Sequence, residues 1–250
     1  MKLSNPNYGV GVFRRRIRIE EYGEPGGLLA SLEDGLHGFR LFVRFEDGHL
    51  VEVNAEVLRA PYDICPSAIS SLQLIVGVDV DEIANRLHKH SQESLSCTHL
   101  HDLLRLTAHH VLSGKLFTQY DVLVPDQINE TQKLFVYEGG VLVHEWEVSG
   151  NRICAPGRFK GFPLMRGFFE WVFKTFSGRE LLAATVLQRG FLVSFSRRFD
   201  MDAMERSPMQ SPARIGACYT FSTEMAPIAK GSPNVVRDFT NRPEKLLTFE

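Results

Sequence analysis

Alternation of apolar and polar residues is the clearest pattern in the chain, and it predicts long β-hairpins. Residues 39–46 and residues 51–57 alternate in this way, and Asp47-Gly48 lies between them. A period of two indicates strands with one buried face, and glycine accepts the positive φ of a tight turn at no steric cost. The same pattern predicts a strand at residues 10–20 and a second hairpin at residues 134–148.

After each hairpin, the apolar spacing changes to that of helices. Pro66 suits the first turn of a helix, and Gly114 suits the position after a last turn. The predicted helices cover residues 65–76, 79–89, 97–113, 164–176 and 179–188. Hairpins followed by short helices predict an α+β fold, in which antiparallel sheets pack against the helices.

The order of the elements suggests two similar tandem halves. Hairpin, Ala-Pro corner and helices occur near residues 39–113 and again near residues 134–190. The first predicted half, residues 1–116, contains the candidate residues His37, Arg59, Cys65, Cys97 and His99. The second, residues 117–250, has an aromatic-rich helix and an extended C-terminal tail with a strand-like piece at residues 217–222. Two unrelated α+β units in succession are the alternative.

Composition is that of an ordinary globular protein, and it argues against several partners. The 250 residues include 28 Lys and Arg against 30 Asp and Glu, so no positive field favours a nucleic-acid partner. No apolar run approaches the ~20 residues of a membrane span, and arginines interrupt the N-terminal stretch where an export signal needs its apolar core. Four cysteines are too few for a disulfide scaffold, so we expect reduced thiols, no membrane partner and a cytoplasmic location.

Cys65 and Cys97 are the first candidates for chemistry, since both lie at predicted helix starts. Backbone N–H groups and the helix dipole favour a thiolate there, and the thiolate is the reactive and metal-binding form of cysteine. With His99 they make a zinc-type or iron-type ligand set, completed by one of His37, His101 or Asp102. Core packing is the favoured interpretation of Cys65 and Cys97, because no Cys-x-x-Cys motif is present. A role in lining a substrate site is the second interpretation, and metal binding is the third.

His37 lies at a loop-to-strand junction together with two acids, Glu33 and Asp34. An imidazole beside carboxylates is suited to proton transfer at neutral pH, so His37 and His99 are candidate proton acceptors. A polar turn with an exposed histidine is the alternative, and residue types alone favour it.

Arg59 and Tyr62 follow the first hairpin and suggest a substrate-binding corner. An arginine fork can bind a substrate carboxylate, and a tyrosine hydroxyl can donate to a phenolic or ether oxygen. A structural salt bridge from Arg59 to Asp63 is an equally good interpretation. Tyr120 is a further candidate hydroxyl donor, and the adjacent Asp121 is a candidate substrate-lining residue.

The aromatic-rich segment from Phe159 to Phe176 is a candidate wall for an aromatic substrate, with Trp171 as a lining residue. Core packing is the more common role of such a segment. The sequence has no P-loop, no glycine-rich phosphate loop and no Gly-x-Ser-x-Gly motif, which disfavours nucleotide chemistry and a serine-hydrolase mechanism.

The chain resembles a bacterial family known mainly as a domain of unknown function, over almost its whole length. The resemblance rests chiefly on Pro-Tyr-x-x-Cys at residues 61–65, Cys-Thr-His-Leu at residues 97–100, residues 120–126 and residues 216–221. The family commonly carries a glutamate shortly after Cys-Thr-His-Leu, where this chain has Asp102-Leu103.

This resemblance implies a role in the catabolism of aromatic, lignin-derived compounds, and some relatives look like cofactor-independent lyases that remove a carboxyl or one-carbon unit. We therefore expect a lyase for a phenolic aromatic dimer, with or without ether cleavage. We expect no cofactor, a small aromatic substrate and a homodimer as the candidate assembly. A weaker similarity, to iron–sulfur scaffold proteins, supports the alternative of a metal-binding or scaffold protein that uses Cys65, Cys97 and His99.

Overall fold

A computed structural model describes residues 4–90, 92 and 95–250, and it confirms the predicted α+β class. The eight strands of these residues are β1 Val12–Glu21, β2 Gly27–Asp34, β3 Gly38–Glu46, β4 His49–Arg59, β5 Phe117–Pro125, β6 Gln132–Glu138, β7 Val141–Ser149 and β8 Arg152–Ala155. Their four α-helices are α1 Val80–Arg86, α2 Thr98–Ser113, α3 Phe168–Thr175 and α4 Gly178–Ser194. The strand pairs with a defined register are antiparallel, as predicted.

The chain forms two compact units, each assembled from separated stretches. We call residues 17–118, 205–236 and 247–250 the His37 unit, and residues 1–16, 119–204 and 237–246 the Trp171 unit, as far as these residues are described. Residues 205–236 were predicted as part of the tail of the second half, and they group with residues 17–118. The duplication of the predicted halves, residues 1–116 and 117–250, stays a prediction.

The His37 unit contains β2, β3, β4 and residues 17–21 of β1, and the order of these strands in the sheet is β4-β3-β2-β1. The first predicted hairpin is confirmed, because β3 pairs with β4 and the turn residues Asp47 and Gly48 have φ values of 47° and 78°. Positive values at both positions are those of the type I′ turns that favour hairpins. In the register, Glu33 lies opposite Gly38, and Gly38 lies opposite Arg59. The two pairings of β3, with β2 and with β4, therefore place Glu33 and Arg59 on either side of Gly38.

Two helices of the His37 unit begin and end where their sequence features indicate. Helix α1 follows Asp79, whose carboxylate accepts hydrogen bonds from the N–H groups of Asp81 and Glu82. Helix α2 ends at Gly114, which adopts the left-handed conformation with φ of 62°. These are the expected cap contacts of a helix start and a helix end.

The Trp171 unit contains residues 12–16 of β1, most of β5, and strands β6, β7 and β8. The order of these strands in the sheet is β1-β5-β6-β7-β8. The second predicted hairpin is confirmed, because β6 pairs with β7 and both Gly139 and Gly140 have positive φ. Helix α4 approaches the sheet closely at Gly190, where an added Cβ would lie 2.6 Å from Cγ1 of Val122.

The helix predicted from Cys65 is confirmed, and it is the 3-10 helix Cys65–Ile75. Three other predictions of local structure are wrong. Helix α4 extends to Ser194, six residues beyond the predicted end at 188. Helix α3 begins at Phe168, four residues after the predicted start at 164. The piece predicted as a strand at residues 217–222 contains a turn of 3-10 helix, Tyr219–Phe221. Among the helices that the structure describes, none is long and apolar enough to span a membrane.

Candidate active site

An aspartate–histidine pair, Asp34 and His37, forms the centre of the candidate site. His37 Nδ1 lies 3.0 Å from Asp34 Oδ1 and 3.2 Å from Oδ2. A carboxylate accepts and does not donate, so Nδ1 is the donor in this contact, and the neutral form of the imidazole has its lone pair on Nε2. The exposed fraction of the side chain is 7% for His37 and 0% for Asp34, so the interpretation of His37 as an exposed histidine is wrong. A base oriented by a buried acid is the arrangement of general-base catalysis.

The loop between β2 and β3 folds around the Asp34 carboxylate. Asp34 Oδ1 accepts the backbone N–H of Leu36 at 2.8 Å and that of His37 at 3.0 Å. The N–H of Asp34 donates in turn to the carbonyl oxygen of His37 at 2.9 Å. Aspartate commonly closes turns in this way, by bonding to the backbone two or three residues ahead. The orientation of the carboxylate is therefore fixed before any substrate binds.

A second imidazole, that of His99, packs against the pair. His99 lies near the start of α2, and its ring centroid is 4.1 Å from that of His37. Phe39 of β3 stacks on His99 with a centroid distance of 5.5 Å and an interplanar angle of 12°. The structure thus brings together the two histidines that were predicted as proton acceptors, beside an aromatic ring.

Arg59 binds groups of the protein itself. Its Nη2 donates to Glu33 Oε1 at 2.9 Å, and the exposed fractions of the two side chains are 11% and 1%. Burial raises the pKa of the Glu33 carboxyl, and the charge of Arg59 partly offsets this effect. Asp63 Oδ1 accepts the backbone N–H of Lys230 at 2.9 Å, and the alternative of a salt bridge from Arg59 to Asp63 stays a prediction. The role of Arg59 as an anchor for a substrate carboxylate stays a prediction.

Cys65 and Cys97 lie in the same unit, close enough to each other and to Cys218 for their charges to interact. Burial raises the pKa of the Cys65 thiol, which lies 3.3 Å from Thr220 Oγ1. Although Cys97 as a residue is half-buried, burial of its thiol raises that pKa to about 12. The prediction that both helix starts favour a thiolate is therefore wrong, since desolvation outweighs the backbone N–H groups. No group of three or more His, Cys, Asp or Glu residues in the described part of the chain is arranged to hold a metal ion.

We expect Cys97 to resist thiol reagents in the folded protein. With a pKa of about 12, roughly one thiol in 10⁴ is ionised at pH 8. Titration with a chromogenic disulfide reagent should give the same number of rapidly reacting thiols in the parent and in Cys97→Ala. In urea the variant should show one thiol fewer. A rapidly reacting thiol lost from the folded variant would contradict the burial of Cys97.

Tyr62 has its ring edge against Phe221, at a centroid distance of 5.7 Å and an interplanar angle of 88°. Burial raises the pKa of Tyr62, while the charges of Arg214 and Arg206 lower it. Because the net direction is upward, Tyr62 keeps its proton at neutral pH and can donate a hydrogen bond.

The other three predicted site residues belong to the Trp171 unit. Tyr120 is buried, with 2% of its surface exposed. Asp121 Oδ1 accepts from Arg16 Nε at 2.7 Å, and Trp171 Nε1 donates to the carbonyl oxygen of Pro163 at 2.9 Å. Trp171 packs within a cluster of rings, as the core interpretation predicts. The catalytic role of Tyr120 and the lining roles of Asp121 and Trp171 stay predictions.

Sequence reasoning missed several partners of the site. Glu33 was noted as an acid near His37 without its partner Arg59, and residues 247–249 were not considered. Cys218 and Thr220 entered only as part of the family motif at residues 216–221. The one available signal is Gly38, since a glycine in a strand often marks a close approach by another part of the chain.

The match to known protein families covers the segment that contains this site. No curated protein and no solved structure matches the chain. One family model, described as a protein of unknown function (DUF2889), matches residues 27–112, about a third of the chain. This segment includes strands β2–β4, helices α1 and α2, the Asp34–His37 pair, Arg59 and His99. Residues 27–112 therefore match a domain family of unknown function, which agrees with the coarser part of the resemblance seen in the sequence.

Proposed function

We propose that the protein is a cofactor-independent lyase that removes a carboxyl or one-carbon unit from a phenolic, lignin-derived aromatic dimer. The observation that carries the proposal is the buried Asp34–His37 pair, in which the acid binds Nδ1 and Nε2 is the atom proposed to accept a proton. The substrate class comes from the family resemblance. His99 supplies a partly exposed ring beside the base, against which an aromatic substrate can stack, and the buried Phe39 ring stacks on His99.

The reaction can be written without an oxidant or reductant. In one-carbon removal, His37 Nε2 takes the proton of the substrate's hydroxymethyl group, and the O–H electron pair forms the carbonyl of formaldehyde. The C–C bond breaks, and its electron pair forms a C=C bond as the neighbouring C–O ether bond opens. The ether oxygen leaves with the electron pair of that bond and takes up a proton. In decarboxylation, carbon dioxide departs in place of formaldehyde. The phenolic ring stabilises the charge that develops as these bonds break.

Tyr62 is the proposed proton donor to the departing ether oxygen. Its raised pKa keeps the hydroxyl protonated at neutral pH, which a hydrogen-bond donor requires. His99, in contact with His37, is the second candidate for proton transfer. Stacked rings exclude water from such a site and strengthen each polar contact within it.

Replacing His37 with alanine is expected to lower turnover by about 10²–10⁴-fold, the usual contribution of a general base. The assay offers phenolic aromatic dimers that carry a carboxyl or hydroxymethyl group. It measures carbon dioxide or formaldehyde together with the aromatic product. His49→Ala is the matched control, because His49 is an exposed histidine at the start of β4.

Two outcomes would count against this proposal. Equal turnover in His37→Ala and in the parent would remove His37 from the mechanism. Activity that is lost on treatment with a chelator and restored by zinc or iron would favour the alternative of a metal site at Cys65, Cys97 and His99.

A further inference from the structure

The side chains of Glu33 and Arg59 meet across Gly38, directly beside the Asp34–His37 pair. Arg59 Nη2 donates to Glu33 Oε1 at 2.9 Å, to the carbonyl oxygen of Asp34 at 2.8 Å and to that of His37 at 3.2 Å. One guanidinium nitrogen therefore holds the backbone at both residues of the pair. Hydrogen bonds from a charged donor are stronger than those between neutral groups, so this contact restrains the loop that orients the His37 imidazole.

The second oxygen of Glu33 binds a stretch far away in sequence. Glu33 Oε2 accepts the backbone N–H of Leu247 at 2.6 Å and that of Phe249 at 3.3 Å. With 1% of its side chain exposed, Glu33 has both carboxylate oxygens engaged by protein donors. The same carboxylate thus joins Arg59 to residues 247–249.

Residues 247–249 are shaped around this contact. Leu247 and Phe249 have φ values of 73° and 61°, in the left-handed region that residues with a side chain rarely adopt. Such conformations persist where the surroundings fix them. The Phe249 ring covers Gly38, where an added Cβ would lie 3.1 Å from the ring, and Arg40 lies over the ring at 4.7 Å from its centroid.

We propose that Glu33 is a positioning residue for the Asp34–His37 pair, acting through Arg59, and that residues 247–249 are the clasp that keeps Glu33 in place. The clasp makes the geometry of the pair depend on a distant segment of the chain. The expected effect on turnover rests on the proposed function. The expected effect on the geometry of the pair does not.

Glu33→Gln is the principal test. Glutamine keeps the shape of the side chain and loses the charge, and its amide nitrogen faces either Arg59 or the N–H groups of residues 247–249. One set of donors therefore loses its acceptor. Glu52→Gln is the matched control, because Glu52 is an exposed acid of the same sheet that pairs with Arg44 at 2.7 Å and not with a residue of the clasp.

Phe249→Ala is the second variant, and it leaves Glu33 and Arg59 intact. It removes only the ring that covers Gly38, so it tests the clasp even if Glu33→Gln fails to fold. Circular dichroism and a thermal melt of each variant establish that it is folded at the temperature of the experiment.

The readouts separate positioning from stability. The first is the low-field proton NMR signal of the His37 Nδ1–H in its bond to Asp34, assigned by its absence in His37→Gln. The second is hydrogen exchange at the N–H groups of Leu36, Leu247 and Phe249. The third is the division of the kinetic effect between kcat and KM.

We expect Glu33→Gln to weaken or abolish the low-field signal and to accelerate exchange on the side that loses its acceptor, which is Leu36 if Arg59 is released and Leu247 and Phe249 if the clasp is released. It should lower kcat by about 10–100-fold with little change in KM, as replacement of a residue that orients a reactive group does. Phe249→Ala should change the same readouts in the same direction, and Glu52→Gln should change none. If Glu33→Gln and Phe249→Ala lower only the melting temperature and leave the signal and the exchange rates as in the parent, the proposal is overturned. The NMR and exchange results decide this even if no lyase substrate is found.

Discussion

Replacing Asp34 with asparagine is expected to lower turnover by about 10²–10⁴-fold while the protein stays folded. Asp34 Oδ1 accepts from His37 Nδ1 and from the backbone N–H of Leu36. Asparagine is the same size, but its amide nitrogen can face Nδ1 and donate to it. The imidazole proton then moves to Nε2, and the lone pair needed by a general base is lost from that atom. Steady-state kinetics on the substrate that the parent turns over would measure the effect.

A matched control for Asp34→Asn is Asp47→Asn in the turn between β3 and β4. Asp47 is exposed and has a positive φ, which asparagine tolerates well, so both stability and turnover should be unchanged. Asp34→Asn should also cost about 1–3 kcal/mol of unfolding free energy, because a fully buried acceptor is weakened. Retention of parent turnover in Asp34→Asn would show that the tautomer of His37 does not matter to the reaction.

Asp126→Ala is expected to cause the largest loss of stability, about 3–5 kcal/mol of unfolding free energy. Asp126 binds Arg197 through both carboxylate oxygens, at 2.7 and 3.1 Å, and it accepts the N–H groups of Gly9 and Gly11. The exposed fractions are 13% for Arg197 and 2% for Asp126. Removing the carboxylate leaves the largely buried guanidinium of Arg197 without its main partner. The free energy lost in this way is much larger than the net contribution of the intact ion pair to stability. Urea denaturation followed by circular dichroism would measure the loss.

Asp121→Ala is the control for Asp126→Ala within the same unit. Its charged partner is Arg16, at 2.7 Å, with side chains 21% exposed for Arg16 and 20% for Asp121, and its Oδ2 accepts from Gln119 Nε2 at 2.7 Å. A pair with access to water contributes about 1 kcal/mol or less, so the midpoint of denaturation should move only slightly. Equal losses in the two variants would contradict the view that burial decides the cost.

The hairpins and the C-terminal end of α2 could be predicted because local signals determine them. Asp47-Gly48 is a strong turn sequence at any position between two alternating runs, and Gly114 marks the end of a helix without reference to the rest of the chain. The type of the Cys65–Ile75 helix could not be predicted in this way, because an apolar spacing of three to four residues fits both an α-helix and a 3-10 helix.

The candidate site depended on contacts that local signals do not contain. The residues Glu33, Asp34 and His37 indicated proton transfer, but only the register shows that Glu33 and Arg59 lie on either side of Gly38. The contact between Asp34 and His37 depends on the conformation of the loop between β2 and β3. The thiol of Cys97 shows the same limit in energetic terms. A helix start favours an anion by about 0.3–1 kcal/mol. The shift of the Cys97 pKa from 9.0 to about 12 corresponds to about 4 kcal/mol in the opposite direction.

The close approach of α4 at Gly190 has a consequence for comparing this chain with others. Any side chain at position 190 would overlap Val122, so the helix accepts only glycine there unless it shifts away from the sheet. In distant sequences, a glycine in the second half of an apolar helix, with a valine or smaller residue on the facing strand, would identify this contact. That pair of positions offers an alignment landmark outside residues 27–112, where the family model has no counterpart.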